Sequence, residues 1–322
     1  VRIMADIEPT EGTAANNAGA GSDEAGEIAL HRAPQADIDR MIKEPTSSIP
    51  PSQSQTLRAA WADLVRGFQS YELWLSLGMQ DIKQRYRRSV LGPLWITIAT
   101  GVMALALGLL YSLLFNIPLH DFLPHVTVGL IIWGFISGCV IEGAQTFIAN
   151  EGLIKQLPAS LSVHVYRLVW RQFLFLLHNL VIYVLLMIIF PRPLGWDWFL
   201  SIPALALIVI NGVWVGMFFG IISTRFRDIA PLLESLIQLA FYVTPIVWTM
   251  QTLRDRGGAA GERARIAELN PLMHYLEIVR GPLTGVPVMW YSWVIVGLCT
   301  VVGLLITTIA MRQWRGRVSY WV

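Results

Sequence analysis

From residue 95 onward the chain is divided into six nearly unbroken apolar runs, at about 95–115, 126–148, 168–190, 199–222, 229–250 and 288–310. Each is close to the ~20 residues that carry a helix across ~30 Å of hydrocarbon. None alternates with the period of two expected of a barrel strand. The pattern predicts an all-α membrane protein with six transmembrane helices. Ahead of them, Trp61, Leu64, Val65, Phe68, Tyr71 and Leu75 recur with helical spacing, while Arg58, Asp63, Arg66 and Ser70 fall on the other side. This predicts an N-terminal amphipathic helix lying in the membrane interface. The alternative, a helix packed on a soluble domain, lacks a soluble domain to receive it.

Two segments break the apolar pattern. Residues 1–56 are rich in Ala, Gly, Ser, Pro and acids with almost no aromatics, so they are predicted to be a disordered cytoplasmic tail. No apolar core of signal-peptide length occurs in them, and no cleavable leader is expected. Three parts result: the tail 1–56, an interfacial helix and basic segment 57–94, and a six-helix domain 95–322. The last external segment, 251–287, holds Gly257-Gly258, a charged stretch, Asn270-Pro271 and the periodic LMHYLEIVR up to Gly281-Pro282. It predicts short re-entrant helices buried in protein or beside a wet cavity; a surface helix is the alternative.

Composition supports the membrane reading. Hydrophobic residues make up 54 % of the 322 and charged residues only 14 %, against about a quarter charged in a soluble domain. The net charge of +2 is too small to suggest nucleic acid. The two cysteines, Cys139 and Cys299, lie inside apolar runs, where they pack as small hydrophobes. Charge matters by position. Lys83, Arg85, Arg87 and Arg88 form a collar just before the first span, and Lys155, Arg167, Arg171, Arg225, Arg227, Arg312, Arg315 and Arg317 share its side. The asymmetry puts both termini in the cytoplasm. The collar also sets cations where an anionic lipid head group lies.

No phosphate loop, dinucleotide fingerprint, metal-ligand cluster or acid–base pair is present, so no catalytic or metal residue is expected and the chain has no ATPase site of its own. Glu142, His178-Asn179, Asn211, Glu234 and Gln238 are the polar groups inside spans. Glu142 and Glu234 fall toward cytoplasmic ends, within reach of water or a neighbouring arginine, and are assigned structural roles. Gly212, Gly216 and Gly220 in span four, with Gly134 and Gly138 in span two, predict close helix packing. Asn150 or Glu151 is predicted to begin a short helix limited by Pro158. Phe226 between Arg225 and Arg227, beside Asp228, suits docking into a groove of a partner protein. Trp133, Phe135, Trp214, Phe241 and Tyr242 lie deep enough to line a saccharide path, or else to pack on lipid and neighbouring helices. Pro245 is expected to kink span five, with Thr244 re-satisfying the freed backbone.

Taken in order, RYRRSVLGPLW (Arg85 to Trp95), NEGLIKQLP (Asn150 to Pro158), RFRDI (Arg225 to Ile229), FYVTPIVW (Phe241 to Trp248) and LNPLMHYLEIVRGPL (Leu269 to Leu283) resemble the permease subunit of ABC transporters that export lipid-linked polysaccharides such as O-antigen, capsule, teichoic acid and galactan. The resemblance covers about 61–322. It implies a homodimer carrying two separately encoded ATPase subunits, which bind ATP and Mg; this chain would hold no cofactor. Asn150, Glu151, Leu153 and Lys155 would belong to a coupling helix seated in the ATPase, with Arg225, Phe226, Arg227 and Asp228 as the second contact. Arg85, Tyr86, Arg87, Arg88 and Trp95 would border the gate where a polyprenyl pyrophosphate enters. Trp133, Phe241, Tyr242, Thr244 and Pro245 are candidates for the translocation path. The run Gln156-Leu157-Pro158-Ala159-Ser160 departs from the aromatic-Pro-Arg run of many relatives. Export of a small amphiphile by the same fold, and a membrane-embedded transferase or scaffold of envelope synthesis, are the rival readings.

Overall fold

The computed structural model describes residues 56–156, 159–192, 195–250 and 267–322. The predicted tail before Thr56, Pro158 and the charged stretch around Gly257-Gly258 lie outside the described residues. Among the described residues there is no β-strand.

Thr56 opens helix α1 (Leu57–Gln69), its hydroxyl accepting from the Ala59 N–H at 3.2 Å. The single interfacial helix expected from the sequence is two. Ser70 returns both its N–H and its hydroxyl to the Arg66 carbonyl, which closes α1, and α2 (Tyr71–Arg85) begins beyond it. Trp61, Val65 and Phe68 form an exposed apolar face on α1. Asp63, assigned to the polar side by its spacing, is instead buried. It accepts from the Ser162 N–H at 3.2 Å and hydroxyl at 2.9 Å, and Arg315 lies 3.6 Å away.

Five described helices are long and apolar enough to cross a membrane. They are α3 (Leu94–Phe115), α4 (Leu119–Ala149), α6 (Leu161–Ile189), α7 (Ser201–Arg225, entered through a 3-10 turn at Trp196–Leu200) and α10 (Trp290–Trp321). A short helix, α5 (Glu151–Gln156), follows α4. Helix α4 is the hub, packing on α3, α6 and α7. Its most apolar stretch is 67 % buried, against 17 % for α3, so most of α3 faces away from the protomer.

Small residues set the closest crossing. A Cβ at Gly143 would sit 2.8 Å from Gly216 Cα, so α4 and α7 touch backbone to backbone. Gly212 lies against Cys139 and Phe135, Gly220 against Phe147, and Gly138 against Gln172. A Cβ added at Gly134 would meet nothing within 4 Å, and Gly143 takes the packing part that spacing suggested for it.

Span five differs most from expectation. The helix, α8 (Ile229–Val243), has 15 residues and stops before Pro245 rather than kinking through it. Pro245 has no N–H to donate, and its ring drives Thr244 out of the helical region, to ψ 137°. The freed Pro245 carbonyl is re-paired inside the protein by buried Arg280, which donates to it at 2.7 Å, while the Thr244 hydroxyl, expected to re-satisfy the backbone, accepts instead from the Asn270 side chain, Nδ2 at 2.9 Å. Among the described residues, five of the six expected spans are long apolar helices and the remaining one, α8, is a shorter apolar helix.

Between the fifth and sixth apolar runs the described residues hold helix α9 (Pro271–Thr284). Asn270 caps it, accepting from the Leu272 N–H at 3.0 Å, and Gly285 ends it at φ +74°. It is buried on nearly every side, against α4, α7 and α10, so it is not a surface helix. Asn211 of α7 joins it to the bundle: it accepts from the Tyr275 hydroxyl at 2.7 Å and from Trp214 Nε1 at 2.6 Å, and donates to Thr300 Oγ1 at 2.7 Å. Tyr275→Phe is expected to lower stability by about 1 kcal/mol, the usual worth of one such bond, seen as a reduced midpoint in thermal unfolding of the purified protein.

Candidate functional site

The basic residues named from the sequence collect at one end of the helices. Lys155 donates to the Val322 carbonyl at 2.9 Å, and Arg225 lies 5.3 Å from the Trp321 ring centroid, so both interhelical loops meet the end of α10. Arg315 of the same helix donates to the Ala59 carbonyl of α1 at 2.7 Å. At the opposite end Arg192 pairs with Asp121 at 2.6 Å.

A network of charges holds α2, α4 and α6 together there. Arg167 and Arg171 stand one turn apart on α6, with side chains only 15 % and 18 % exposed. Both converge on Asp81 of α2, itself 14 % exposed. Arg167 grips both Asp81 carboxylate oxygens through Nε and Nη2, and its remaining Nη1 donates to Asn150 Oδ1 at 3.0 Å. Arg171 donates to Asp81 Oδ2 at 2.6 Å and to Glu142 Oε2 at 2.5 Å. Arg85 completes the chain at 3.4 Å from Glu142 Oε1. Its guanidinium also lies 5.5 Å from the Phe175 ring centroid. Burial alone would raise the Asp81 pKa, but the hydrogen bonds and charges of Arg167 and Arg171 outweigh it and hold the carboxyl below its ordinary value. Arg85, Glu142, Asn150, His164, Arg167 and Arg171 line a cleft of about 400 Å³. Three arginines against one carboxylate on its wall give it a positive lining.

The remaining collar residues are arranged differently. Tyr86 ends α2, and Arg87 and Arg88 are exposed beyond it, making no ion pair among the described residues. With Gln84 and Arg85 they edge a second concavity. Gly92, at φ +56°, turns the chain into α3, where Trp95 is 60 % exposed. Arg87, Arg88 and Trp95 thus stand open beside the first span.

Helix α5 is one and a half turns with no buried residue. Glu151 accepts from Lys155 at 2.6 Å, one turn on. That bond lowers the Glu151 pKa, and the charge of Arg227 on the other loop adds to it. Leu153 is half-buried, while Phe226, Arg227 and Asp228 are exposed. The Asn150 side chain turns away from α5 to the Thr146 carbonyl, at 2.7 Å, and to Arg167.

The path candidates separate. Trp133 is buried and meets Phe241 edge to face at 5.8 Å; Thr244 and Pro245 are buried in the break of span five. Tyr242 alone of these is exposed. With Glu234 and Gln238 it forms a polar stripe at every fourth residue of α8, on a face the protomer does not cover. Gln145 donates to Glu234 at 3.3 Å. The sequence missed Asp81, Arg167 and Arg171 as a unit. The available signal was a carboxylate in an apolar helix, Glu142, at the same level as two arginines spaced by one turn.

These features define a multi-pass helical membrane protein with a charged end and a partly uncovered polar wall. The family model for the ABC-2 type transporter matches residues 72–284, and the chain belongs to that family, a component of membrane transporters. Among curated proteins, it is 24 % identical over 187 residues to the O-antigen export system permease protein RfbA of Klebsiella pneumoniae, covering 58 % of this chain and 72 % of the relative. It is 26 % identical over 215 residues to the protein of the same name from Myxococcus xanthus, covering 65 % and 80 %.

Proposed function

We propose that two copies of this chain form the membrane part of an ATP-driven exporter, which moves a polyprenyl-pyrophosphate-linked polysaccharide from the cytoplasm to the outer face of the inner membrane. The observation that carries this reading is the stripe of Glu234, Gln238 and Tyr242 on α8. Glu234 lies near the cytoplasmic end of α8, but Gln238 and Tyr242 carry the stripe one and two turns deeper, where an uncovered amide facing lipid is costly, so such a face is expected to border a second protomer or a wet path. The exposed face of α3 offers the rest of a contact between copies. The relatives' names support a glycan cargo.

In this mechanism the exposed Arg87 and Arg88, with Arg85 behind them, attract the pyrophosphate, because guanidinium pairs bidentately with phosphate oxygens. A separate ATPase subunit seats α5 and the Arg225–Asp228 loop. Closure of the ATPase pair on ATP pushes these segments and parts α3 and α8 of the two copies. The glycan then passes polar and aromatic groups of the wall. Both chain ends lie on the cytoplasmic side, by the distribution of positive charge.

The test is reconstitution with the cognate ATPase in vesicles carrying the lipid-linked glycan, scored by glycosidase access. Export should require ATP. Export of small amphiphiles only, or activity with no nucleoside triphosphate, would end the proposal. Changing Arg85, Arg87 and Arg88 to Gln should reduce glycan-stimulated ATP hydrolysis about tenfold, as expected when a charge-assisted contact is removed, while the complex still assembles.

A further inference from the structure

We infer that Arg167 is a positioning residue that ties the ATPase-docking segment to the gate collar, so that movement of one is felt by the other. The inference rests on the docking role proposed above for α5.

The geometry is that of one planar group shared between two segments. Nε and Nη2 of Arg167 hold Asp81, and Nη1 holds Asn150. Asp81 lies one turn before Arg85, on the helix that ends in the collar. Asn150 is the residue on which α5 begins: its carbonyl accepts the Ile154 N–H at 3.0 Å. Asp81 is 86 residues from Arg167 in the chain, and Asn150 is 17. The two segments thus meet through a single guanidinium with little slack. An arginine fork has a fixed donor geometry, whereas an ammonium on a flexible stem can keep the charge without holding both partners in register.

The surrounding groups give the link a direction. Asn150 is also fixed to α4 through the Thr146 carbonyl, so it reports the α4–α5 corner rather than a loose loop. Arg171 ties Asp81 back to Glu142, and Glu142 reaches Arg85 in the collar. A displacement of the α4–α5 corner therefore reaches Arg85 through Arg167, Asp81 and the rigid turn between them, and also through Arg171 and Glu142. Asn150 is engaged by Arg167 alone of the two arginines, so the docking segment has one arginine contact to lose. Bonds of this kind buried from water are stiff, because breaking one leaves a charge without a partner.

The experiment uses the reconstituted complex with its ATPase, comparing wild type with Arg167→Lys, Asn150→Ala, Asn150→Asp and the double variant Arg167→Lys/Asn150→Ala. Three quantities are measured: basal ATP hydrolysis, glycan exported per ATP consumed, and the ATP-driven change in distance between spin labels at Ser89 and Gln156. Arg167→Lys is expected to leave assembly and basal hydrolysis within about twofold of wild type and to lower glycan per ATP about tenfold, within the range found for residues that carry coupling. The label at Ser89 should cease to respond to ATP. Asn150→Asp, which can still accept from the guanidinium, should keep coupling, and the double variant should be no worse than either single one. Wild-type coupling in Arg167→Lys, or additive losses in the double variant, would overturn the relay alone. A wild-type chain that binds no ATPase would overturn the docking role and the relay with it.

Discussion

Replacing Asp81 with alanine is expected to destabilise the protein by about 3 kcal/mol, the scale for stripping one partner from a buried ion network. Arg167 and Arg171 would both lose their shared carboxylate while remaining largely out of water. Arg171 would keep only Glu142, and Arg167 only Asn150. The midpoint of thermal unfolding in detergent should drop, and α1 and α2 should become sensitive to proteolysis before the long helices do. The pH dependence follows from the depressed Asp81 pKa. A carboxyl whose folded pKa lies below its unfolded value, about 3.9, stabilises fully above the latter and loses that contribution as pH falls through the former. The gap between wild type and Asp81→Ala should thus be constant from pH 5 to 8 (roughly the range above carboxylate titration) and close in stronger acid. A gap that widened on acidification would contradict the assigned ion pairs.

Gly143→Leu is expected to have the larger effect on assembly of the bundle. The first added carbon would fall 2.8 Å from the Gly216 backbone, which has no side chain to swing aside. Overpacking by a few methylenes costs about 1–3 kcal/mol where side chains can adjust, and here backbone must move instead. Helices α4 and α7 would separate along their contact, with Leu168 and Phe147 displaced from their places beside it. Little monodisperse protein should be recovered. Gly134→Ala is the matched control, since nothing lies within 4 Å of its added carbon, and it should change stability by less than about 0.5 kcal/mol. Equal recovery of the two variants would contradict the crossing described.

Much of this architecture could be read in the apolar periodicity, because membrane helices must satisfy their own backbone and announce themselves by length. Helix ends were less legible. The runs at 126–148 and 168–190 became α4 from Leu119 and α6 from Leu161, since helices continue into polar ground where side chains such as Arg167 find partners. Span five failed for a different reason. Apolar residues continue past Val243, and only the conformation forced by Pro245 ends the helix, with Arg280 supplying the lost partner from far along the chain. The charge network was hidden for a similar reason: Asp81, Glu142, Arg167 and Arg171 sit on three helices, and hydropathy weighs each as topology charge. The collar was visible as a run of cations, but the difference between Arg85, held by Glu142, and the open Arg87 and Arg88 depends on which helix lies opposite.

The early end of α8 also bears on the barrier that a bulky head group would face. Fifteen residues rise about 22 Å at 1.5 Å each, some 8 Å less than an ordinary hydrocarbon slab of ~30 Å. Beyond Val243 the chain folds inward; Arg280 takes up its Pro245 carbonyl, and Trp248 Nε1 reaches back to the Tyr242 carbonyl in the last turn of α8, at 3.3 Å. A stretch this short is matched by local thinning of the bilayer or by contact between copies. The apolar stretch is therefore shortest beside the wall that bears Glu234, Gln238 and Tyr242, and on the export function proposed above a hydrated cargo passing there would spend the fewest ångströms away from water.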